Sequence, residues 1–480
     1  MRSNQKIYET PQFEILSENQ RERIYSAALE VLEHTGVKIQ GEKALSLLKE
    51  AGASADGEIV YIPSYLVENA LRSTPKKVLI YTRDGNLAMR LEGFNSYFGT
   101  GSDCPSILDS FTGERRKFTK RDVEQAAVIC DTLPNIDFMM SMGLISDKPT
   151  VVTDIHQFQA MVFNTKKPIV FTSLTIPGAE DIIKMAGIIA GSEEELRRKP
   201  FIIHYIEPSS PLAVSKEAVD RLLLSADKGI PVVFTPGPMA GATSPATLAG
   251  TLVTALAESL SGIVLSQLKR EGLPLIVGGT SGIMDMRTAI TPYGGPEFYL
   301  LNAAMSELCR FIGVPMFGTA GCSDAKKFGE QAAIESSLSV ITQVLSGANL
   351  IHDIGYLESG LTGSFDMLVL TDEIIAMAKR FMRGINTDDE RLALQVIDKV
   401  GPGGNYLVED HTLKYFKEYW EPKLIDRQNY KRWSDKGSKS LGERVNEKVK
   451  SILAEYKTEP LEDKKQREVL KIIEFRERKI

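Results

Sequence analysis

Cysteine is scarce in this 480-residue chain, and its spacing excludes the usual cysteine-based sites. The four cysteines are Cys104, Cys130, Cys309 and Cys322. They lie far apart and form no C-x-x-C pair, so neither a disulfide framework nor a structural zinc site is indicated. We expect four reduced thiols, with Cys322 in a packing role rather than acting as a nucleophile.

Histidine is equally scarce, with five in the chain and none at H-x-H or H-x-x-x-H spacing. A metal site would need the fold to bring distant ligands together, and the available set is His204, Glu207, Asp324 and His352. We predict no metal. Residues 154–159 read DIHQFQ and resemble the cobalamin motif D-x-H-x-x-G, but Gln159 replaces its glycine and the segment begins a helical pattern.

The chain also lacks an excess of basic residues and any long hydrophobic run. It has 57 Lys and Arg against 63 Asp and Glu, a formal net charge of -6, which disfavours nucleic-acid binding. No stretch approaches the roughly 18 consecutive apolar residues of a membrane span, and the first 20 residues contain no apolar signal region. We therefore predict a cytoplasmic protein that contacts no membrane.

What the sequence does contain is a regular alternation of strand and helix patterns. Eight short apolar strands, most of them opened by proline, begin at Tyr97, Ile136, Pro168, Pro200, Pro231, Pro274, Pro315 and Ala348. This alternation predicts an α/β fold, a TIM (βα)8 barrel. A doubly wound open sheet is the competing architecture, but GTGSD at Gly99 fails the G-x-G-x-x-G pattern typical of it.

Three regions are predicted along the chain. Residues 1–95 form an N-terminal helical cap with a hairpin around Asp84 and Gly85, residues 96–386 form the barrel, and residues 387–480 form a C-terminal helical extension. The charged tail after Lys457 reads as a solvated helix. A homo-oligomer is expected, with the long C-terminal helices as its interface.

The predicted carboxyl ends of the strands carry few charges but many aromatic rings. Ligands of parallel-sheet barrels bind there, and aromatic faces attract quaternary ammonium cations. Lys326 and Lys327 leave a Schiff-base lyase or aldolase open as an alternative. Phosphate binding is disfavoured, because the loop after the last strand offers acids and a tyrosine.

One segment, GTAGCSDAKKFGEQAAIESSLSVITQVLSGANLIHDIGYLESG, is similar to the trimethylamine methyltransferase superfamily. Further similar segments are ALEVLEHTGV (28–37), YFGTGSD (97–103), FTPGPMAGATSPATLAG (234–250) and EDHTLKYFKEYWEPKLIDRQNY (409–430). The resemblance implies a TIM barrel that transfers a methyl group from an amine to the Co(I) corrinoid of a separate, cognate corrinoid protein. It implies no tightly bound cofactor.

Trimethylamine enzymes of this superfamily carry pyrrolysine near the SD-x-K segment, whereas this chain continues with ordinary residues, Ala325 to Glu330. A quaternary ammonium needs no such activation, because its tertiary amine leaves neutral. The departure therefore favours the branch that resembles glycine betaine methyltransferase. The implied substrates are betaines: glycine betaine, proline betaine, carnitine or butyrobetaine.

Site residues follow from the strand ends and from this resemblance. The predicted aromatic cage is Tyr97, Tyr205, Phe234, Tyr356 and Phe365. His204 and His352 are expected to hold the substrate carboxylate or orient the corrinoid, and Glu207, Asp324 and Gln331 to supply negative potential or hydrogen bonds. Asp324 and His352 are the predicted catalytic residues, with helix capping as the alternative role of Asp324. A non-catalytic betaine-binding protein stays open as a third function.

Overall fold

A parallel sheet of seven strands forms the centre of the molecule, which is a computed structural model describing residues 11–479. The strands are β1 (Tyr97–Phe98), β2 (Ile169–Phe171), β3 (Ile202–Ile206), β4 (Val232–Phe234), β5 (Leu275–Gly278), β6 (Met316–Thr319) and β7 (Leu350–His352). Their spatial order is β1-β7-β6-β5-β4-β3-β2. From β2 to β7, strands that follow each other in the chain are neighbours in the sheet, whereas β1 lies beside β7 at the opposite edge from β2.

The strand expected from Ile136 is reduced to two isolated parallel bridges. Phe138 bridges Gly99 beyond β1, and Met139 bridges Ile169 of β2, so this short segment connects the two edges of the sheet. Asp137 explains the interruption. Its carboxylate, rather than a backbone carbonyl, accepts the Phe98 N–H at 3.0 Å.

Helices alternate with these segments as predicted. They are α1 (Lys120–Thr132), α2 (Thr153–Asn164), α3 (Ile176–Ala190), α4 (Lys216–Lys228), α5 (Leu248–Lys269), α6 (Pro296–Ile312), α7 (Glu330–Ser346) and α8 (Phe365–Met382). Local signals set their ends. At α4 the Ser215 hydroxyl accepts the Ala218 N–H, and Gly229 ends the helix in the left-handed conformation at φ 69°.

Helix α5 is the one helix among the described residues long and apolar enough to cross a membrane. However, 78% of its most apolar window is buried inside the protein. It packs on β5, on α4 and α6, and on helices of the N-terminal region. These contacts make it a core helix.

The predicted hairpin is confirmed and closes the amino-terminal end of the sheet. Its strands, Val78–Tyr81 and Leu87–Leu91, turn through Gly85 at φ 80°. Four of its side chains share one buried cluster with residues from the strands: Val78, Ile80, Met89 and Leu91. This end of the barrel interior is therefore filled by apolar side chains.

The rest of the N-terminal region packs on the outside of the helix layer. It comprises helices Glu18–Glu30, Glu42–Glu50 and Ser64–Ser73, a π-helical turn Val31–Thr35, and strands Val37–Ile39, Ser54–Asp56 and Ile59–Tyr61. Val37–Ile39 pairs in parallel with Ala213–Val214, which lies between β3 and α4. This pairing ties the region to a loop at the carboxyl end of the sheet.

The C-terminal region has two parts that differ in packing. The first contains short helices and no buried residue between positions 379 and 444: Asp389–Leu392, Leu394–Val400, Asp410–Tyr415, Phe416–Glu418 and Tyr430–Asp435. The second part, helices Leu441–Glu455 and Asp463–Glu477, packs back onto the barrel helices.

The expectation of a solvated tail is wrong for the last helix, Asp463–Glu477. It buries Val469, Ile472 and Ile473. Arg476 forms an ion pair with Asp181 of α3 at 2.6 Å. A few apolar residues on one face are enough to dock a highly charged helix. Because the segment is rich in charged residues overall, its composition does not reveal this face.

Candidate active site at the carboxyl ends of the strands

Two small sheets connect the loops at the carboxyl end of the barrel. One joins Ser106–Leu108 and Arg115–Lys117, after β1, to Tyr356–Leu357 and Thr362–Ser364, after β7. The other pairs Met239–Ala240, after β4, with Gly282–Ile283, after β5. Side chains following four strands are thereby held in a rigid frame.

Alternation along each strand decides which side chains point into this frame. In β3, Ile203 and Tyr205 pack with the barrel interior, whereas Ile202 and Ile206 pack in the core that includes the helices. His204 shares the outward phase of Ile202 and Ile206. The interior therefore receives Tyr205 and, two residues later, Glu207.

His204 lies in the helix layer, away from the barrel interior. Its Nε2 is hydrogen bonded to Ser173 Oγ at 2.8 Å and its Nδ1 to Ser225 Oγ of α4 at 2.7 Å. The ring stacks on Phe171 with centroids 4.4 Å apart. Burial lowers the pKa of His204 to about 3, so the ring is neutral.

Four other predicted site residues also lie elsewhere. Tyr97 accepts the Arg90 N–H at 3.0 Å, at the hairpin end of the barrel. Phe234 packs on α5 so tightly that a Cβ on Gly262 would lie 2.3 Å from its ring. Gln331 is exposed and donates to Glu335 at 2.9 Å, while Phe365 begins α8 in the large core cluster.

Asp324 joins two loops rather than capping α7. Its Oδ1 accepts the Tyr293 N–H at 2.7 Å and its Oδ2 accepts the Gly294 N–H at 2.9 Å. The Ser359 hydroxyl donates to Oδ1 at 2.7 Å. Asp324 thus positions the loop that carries Tyr293.

Three carboxyl groups form the centre of the site: Asp103, Glu207 and Asp353. Tyr356 Oη donates to Asp103 Oδ1 at 2.7 Å and accepts the Asp103 N–H at 2.9 Å. Tyr205 Oη donates to Glu207 Oε2 at 3.1 Å. His352 Nε2 lies 3.4 Å from Asp353 Oδ1.

Burial raises the pKa values of these three carboxyls, and the charge of Asp103 raises those of Asp353 and Glu207 further. Burial raises the pKa of Asp353 well above its ordinary value, and the charges of Asp103 and Glu207 raise it further. Burial likewise raises the pKa of Asp103 and of Glu207. No lysine or arginine of residues 11–479 forms an ion pair with any of the three. The cluster therefore lacks a counter-cation within the described chain.

The same groups line a recess that solvent reaches. Asp103 and Glu207 keep accessible surface, and Tyr205 and Tyr293 are half-buried, although desolvation raises the pKa of all four. Side chains that are enclosed by protein yet accessible line a cavity or cleft. Asp353, by contrast, is 3% exposed.

Aromatic rings surround the carboxyls. Tyr205 packs edge-on against Phe317 at 5.8 Å between centroids, and Phe317 lies 4.1 Å from the ring of His352. A Cβ on Gly360 would lie 3.6 Å from both Tyr293 and Tyr356, which places these two tyrosines close together. Aromatic faces and carboxylates are both groups that attract organic cations.

Because Gly101 has no side chain, Asp353 and Tyr356 can lie close to its backbone. A Cβ there would lie 2.1 Å from Asp353 Oδ1 and 2.3 Å from Tyr356 Oη. The loop after β7 is also strained: Asp353, Glu358 and Ser359 have φ angles of 72°, 53° and 53°. Left-handed backbone at non-glycine residues costs free energy and is concentrated at functional sites.

His352 is held as a neutral ring. Its Nδ1 donates to the Gly318 carbonyl at 2.8 Å, which leaves the lone pair on Nε2 facing Asp353. Burial lowers the pKa of His352 to about 4. Thr319 Oγ1 lies 3.4 Å from Nδ1 and 3.1 Å from Thr280 Oγ1, so hydroxyls line this wall.

Lys326 and Lys327 are exposed, and Lys326 Nζ donates to the Asp324 carbonyl at 2.8 Å. A Schiff-base lysine needs a desolvated environment that lowers its pKa, so their position disfavours that chemistry. The proposed metal set does not assemble, because His204 faces the helices. Across residues 11–479 no three His, Cys, Asp or Glu side chains are grouped to hold a metal ion.

The D-x-H-x-x-G-like segment lies in α2. His156 Nε2 is hydrogen bonded to Glu477 of the last helix at 2.9 Å. Cys322 and the other three cysteines are buried and unpaired. Burial raises the pKa of Cys322 well above its ordinary value, which agrees with a packing role.

A family model described as Trimethylamine methyltransferase (MTTB) matches residues 2–480. The chain belongs to this family. It is 36% identical over 443 residues to Trimethylamine methyltransferase MttB of Desulfitobacterium hafniense (strain DSM 10664 / DCB-2), covering 92% of this chain and 89% of that protein. It is 32% identical over 449 residues to Glycine betaine methyltransferase of D. hafniense (strain Y51), covering 93% of each.

The crystal structure of the Methanosarcina barkeri monomethylamine methyltransferase is similar in fold. The TM-score is 0.52 at 13% identity, and the match covers 92% of this chain and 88% of that one. At this identity the likeness concerns the fold alone. MTTB-family proteins act on methylated amines and on corrinoid proteins, and the coarse prediction of a corrinoid-dependent methyltransferase is confirmed.

The structure adds four residues to the site predicted for this MTTB-family chain. These are Asp103, Tyr293, Phe317 and Asp353. Asp103 and Asp353 directly follow predicted strands, and a rule that took every acid at a strand end would have included both. Tyr293 is an aromatic residue expected at the mouth of the barrel but outside the predicted cage, and it lies 15 residues beyond the end of β5.

Proposed function

We propose that this protein transfers a methyl group from a quaternary amine to the Co(I) corrinoid of a cognate corrinoid protein and releases the tertiary amine. The observation that supports it is the cluster of three carboxyls, Asp103, Glu207 and Asp353, none of which is paired with a lysine or arginine among residues 11–479. Such a set is stabilised when an organic cation enters, because the cation restores the charge balance inside a low-dielectric site. The surrounding rings add attraction for N-methyl groups.

The chemistry requires little from acid or base groups. In the displacement, the C–N electron pair stays with nitrogen, so the positively charged nitrogen becomes a neutral amine without receiving a proton. Tyr205 and Tyr356 keep Glu207 and Asp103 oriented, and His352 stays beside Asp353 as an uncharged ring. Catalysis then rests on orientation and on exclusion of water.

The corrinoid is a second substrate carried by another protein. When bound, it supplies the nucleophile that takes the methyl group. We propose that its carrier docks over the loops after the strands, where the small sheets frame the recess. We also propose that the bridges at Phe138 and Met139 stand for the eighth strand of a (βα)8 barrel.

Several predictions from the sequence remain proposals. They are the three domain boundaries, the homo-oligomer and the cytoplasmic location. The two predicted catalytic residues differ in position. His352 lies in the carboxyl cluster, whereas Asp324 lies outside it and holds the Tyr293 backbone through a hydrogen bond.

The test is methyl transfer to cob(I)alamin, followed by the visible spectrum of methylcobalamin. Incubation with a panel of quaternary amines is expected to give methylation that depends on both protein and amine. Binding without any transfer would favour the non-catalytic binding protein. Transfer from tertiary amines alone would overturn the proposal, and borohydride trapping of a substrate on Lys326 or Lys327 would favour the lyase.

A further inference from the structure

The charges around the recess discriminate between kinds of quaternary amine. A betaine brings a positive nitrogen and a negative carboxylate, whereas choline and tetramethylammonium bring only the positive charge. The recess already holds the carboxyls of Asp103, Glu207 and Asp353, and the charge of Asp103 disfavours ionisation of the other two. A fourth carboxylate would need a cation to balance it.

The described chain does not supply that cation at the cluster. The charges that raise the pKa values of Asp353 and Glu207 are those of neighbouring carboxyls: Asp103 for both, and Glu207 for Asp353. Lys326, the basic residue nearest in sequence to this end of β6, is exposed and bonded to the Asp324 carbonyl. A carboxylate arm would therefore meet repulsion in the recess.

Neither predicted histidine offers a carboxylate a proton. Both ring nitrogens of His204 are occupied by Ser173 and Ser225 in the helix layer. His352 uses its Nδ1 proton on the Gly318 carbonyl and presents the Nε2 lone pair toward Asp353. The ring therefore has no N–H left to donate to a substrate carboxylate.

A neutral polar group on the substrate, in contrast, finds a hydrogen-bond partner in the Thr235 hydroxyl. Thr235 follows β4 in the inward phase of Val233 and is 2% exposed, and its hydroxyl has no hydrogen-bond partner within the described residues. Its Oγ1 lies beside Gly279, where a Cβ would approach it to 3.1 Å. An unpaired buried hydroxyl gains from a hydroxyl or amide on the substrate.

Building on the proposed function, we propose that the substrate is a quaternary ammonium cation without a carboxylate, whose fourth arm is alkyl or carries a neutral hydroxyl. The site selects this class by charge, because its three carboxyls favour a net cation over a zwitterion. The betaines predicted from the sequence then bind poorly.

The experiment compares amines that differ in arm charge at nearly constant size. Glycine betaine, its carboxamide, choline and tetramethylammonium are titrated into the wild-type protein by calorimetry, without corrinoid. Choline and the carboxamide are expected to bind at least about 10-fold more tightly than glycine betaine, since one unfavourable carboxylate contact outweighs a tenfold factor. Methyl transfer to cob(I)alamin should follow the same order.

Two variants test whether charge causes the preference. Glu207→Gln and Asp353→Asn should each weaken tetramethylammonium binding by roughly 100-fold and narrow the difference in affinity between choline and glycine betaine. Glu258→Gln is the matched control. Glu258 is a buried carboxyl with a pKa raised to about 7, but it accepts bonds from Ser210 and Leu212 and is separate from the cluster.

The outcomes separate the two proposals. Tightest binding and fastest demethylation of glycine betaine would overturn the selection by charge and leave the proposed function intact. An unchanged preference in both acid variants would also overturn it. Demethylation of tertiary but not quaternary amines would overturn the proposed function itself.

Discussion

Two neighbouring residues of β3, His204 and Tyr205, end up on opposite faces of the sheet. Tyr205 points into the barrel interior, donates to Glu207 and packs against Phe317. His204 points into the helix layer, where two serines and Phe171 enclose it. Both are polar aromatics at a strand end, and the sequence gives no reason to separate them.

The inner and outer faces also use polar groups differently. On the outer face, each polar group of His204 is paired, so the residue contributes stability. On the inner face, three carboxyls lack a lysine or arginine partner among the described residues, and Gly101 lets Asp353 and Tyr356 crowd together, an arrangement that costs stability. Four variants test this contrast.

The largest effect is expected on the inner face from Asp353→Asn. Two unit charges about 5 Å apart interact by about 3 kcal/mol at an effective dielectric constant of about 20, so kcat/KM for a quaternary ammonium should fall by roughly 100-fold. The unfolding free energy should stay equal or rise, because repulsion with Asp103 and Glu207 is relieved. Steady-state kinetics and urea unfolding measure both. A stability loss with unchanged kcat/KM would place Asp353 in a structural role.

Gly101→Ala is expected to lower kcat/KM by about 30-fold. The new Cβ displaces Asp353 Oδ1 and Tyr356 Oη, which would otherwise lie 2.1 and 2.3 Å away. Gly329→Ala is the control, because no atom lies within 4 Å of its Cβ position and its φ of 169° suits any residue. Equal kinetics for the two variants would contradict the close approach at Gly101.

On the outer face, His204→Ala should reduce stability rather than catalysis. It removes two hydrogen bonds and a ring stack from a fully buried site, at a cost of about 3 kcal/mol. Thermal or urea unfolding measures the loss, while kcat per folded molecule should stay within about twofold of wild type. A fall in kcat without a fall in stability would contradict this prediction and indicate that His204 acts on the inner face.

The smallest effect, taken per pH unit, concerns acid. The pKa of His204 is about 3 in the folded protein and 6.5 for an ordinary histidine, so below pH 6.5 the unfolded chain binds a proton that the folded chain refuses. The unfolding free energy should therefore decrease by up to about 1.4 kcal/mol per pH unit on going from pH 6.5 toward 3. His204→Ala should remove one such contribution from the measured slope. His352, with a pKa of about 4, makes a second contribution to the slope, and this contribution remains in the variant.

The architecture was largely predictable. Proline-opened apolar runs followed by capped amphipathic helices predicted the order of seven strands and eight helices, and the turn residues Asp84 and Gly85 predicted the hairpin. The strand expected at Ile136 shrank to two bridges because the Asp137 side chain takes a ladder hydrogen bond. A single polar side chain thus changed an element that its apolar neighbours predicted correctly.

The candidate site was predictable only in part. His352, Tyr205, Glu207 and Tyr356 were named from the strand ends, and the structure gathers them around Asp103 and Asp353. Aromatics such as Phe234 sit at equivalent strand positions but pack against helices. Tyr293 joins through a backbone bond to Asp324 that no local pattern encodes.

By itself, the sequence determined the alternation of elements, the family, and the scarcity of charge at the strand ends. The tertiary structure decided which side chains of each strand point into the barrel interior. Parallel strands in a barrel are buried on both faces, so their apolar runs are continuous and show no inside or outside. Only closure of the sheet, with the hairpin at one end and the helices around it, assigns Tyr205 to the recess and His204 to the helix layer.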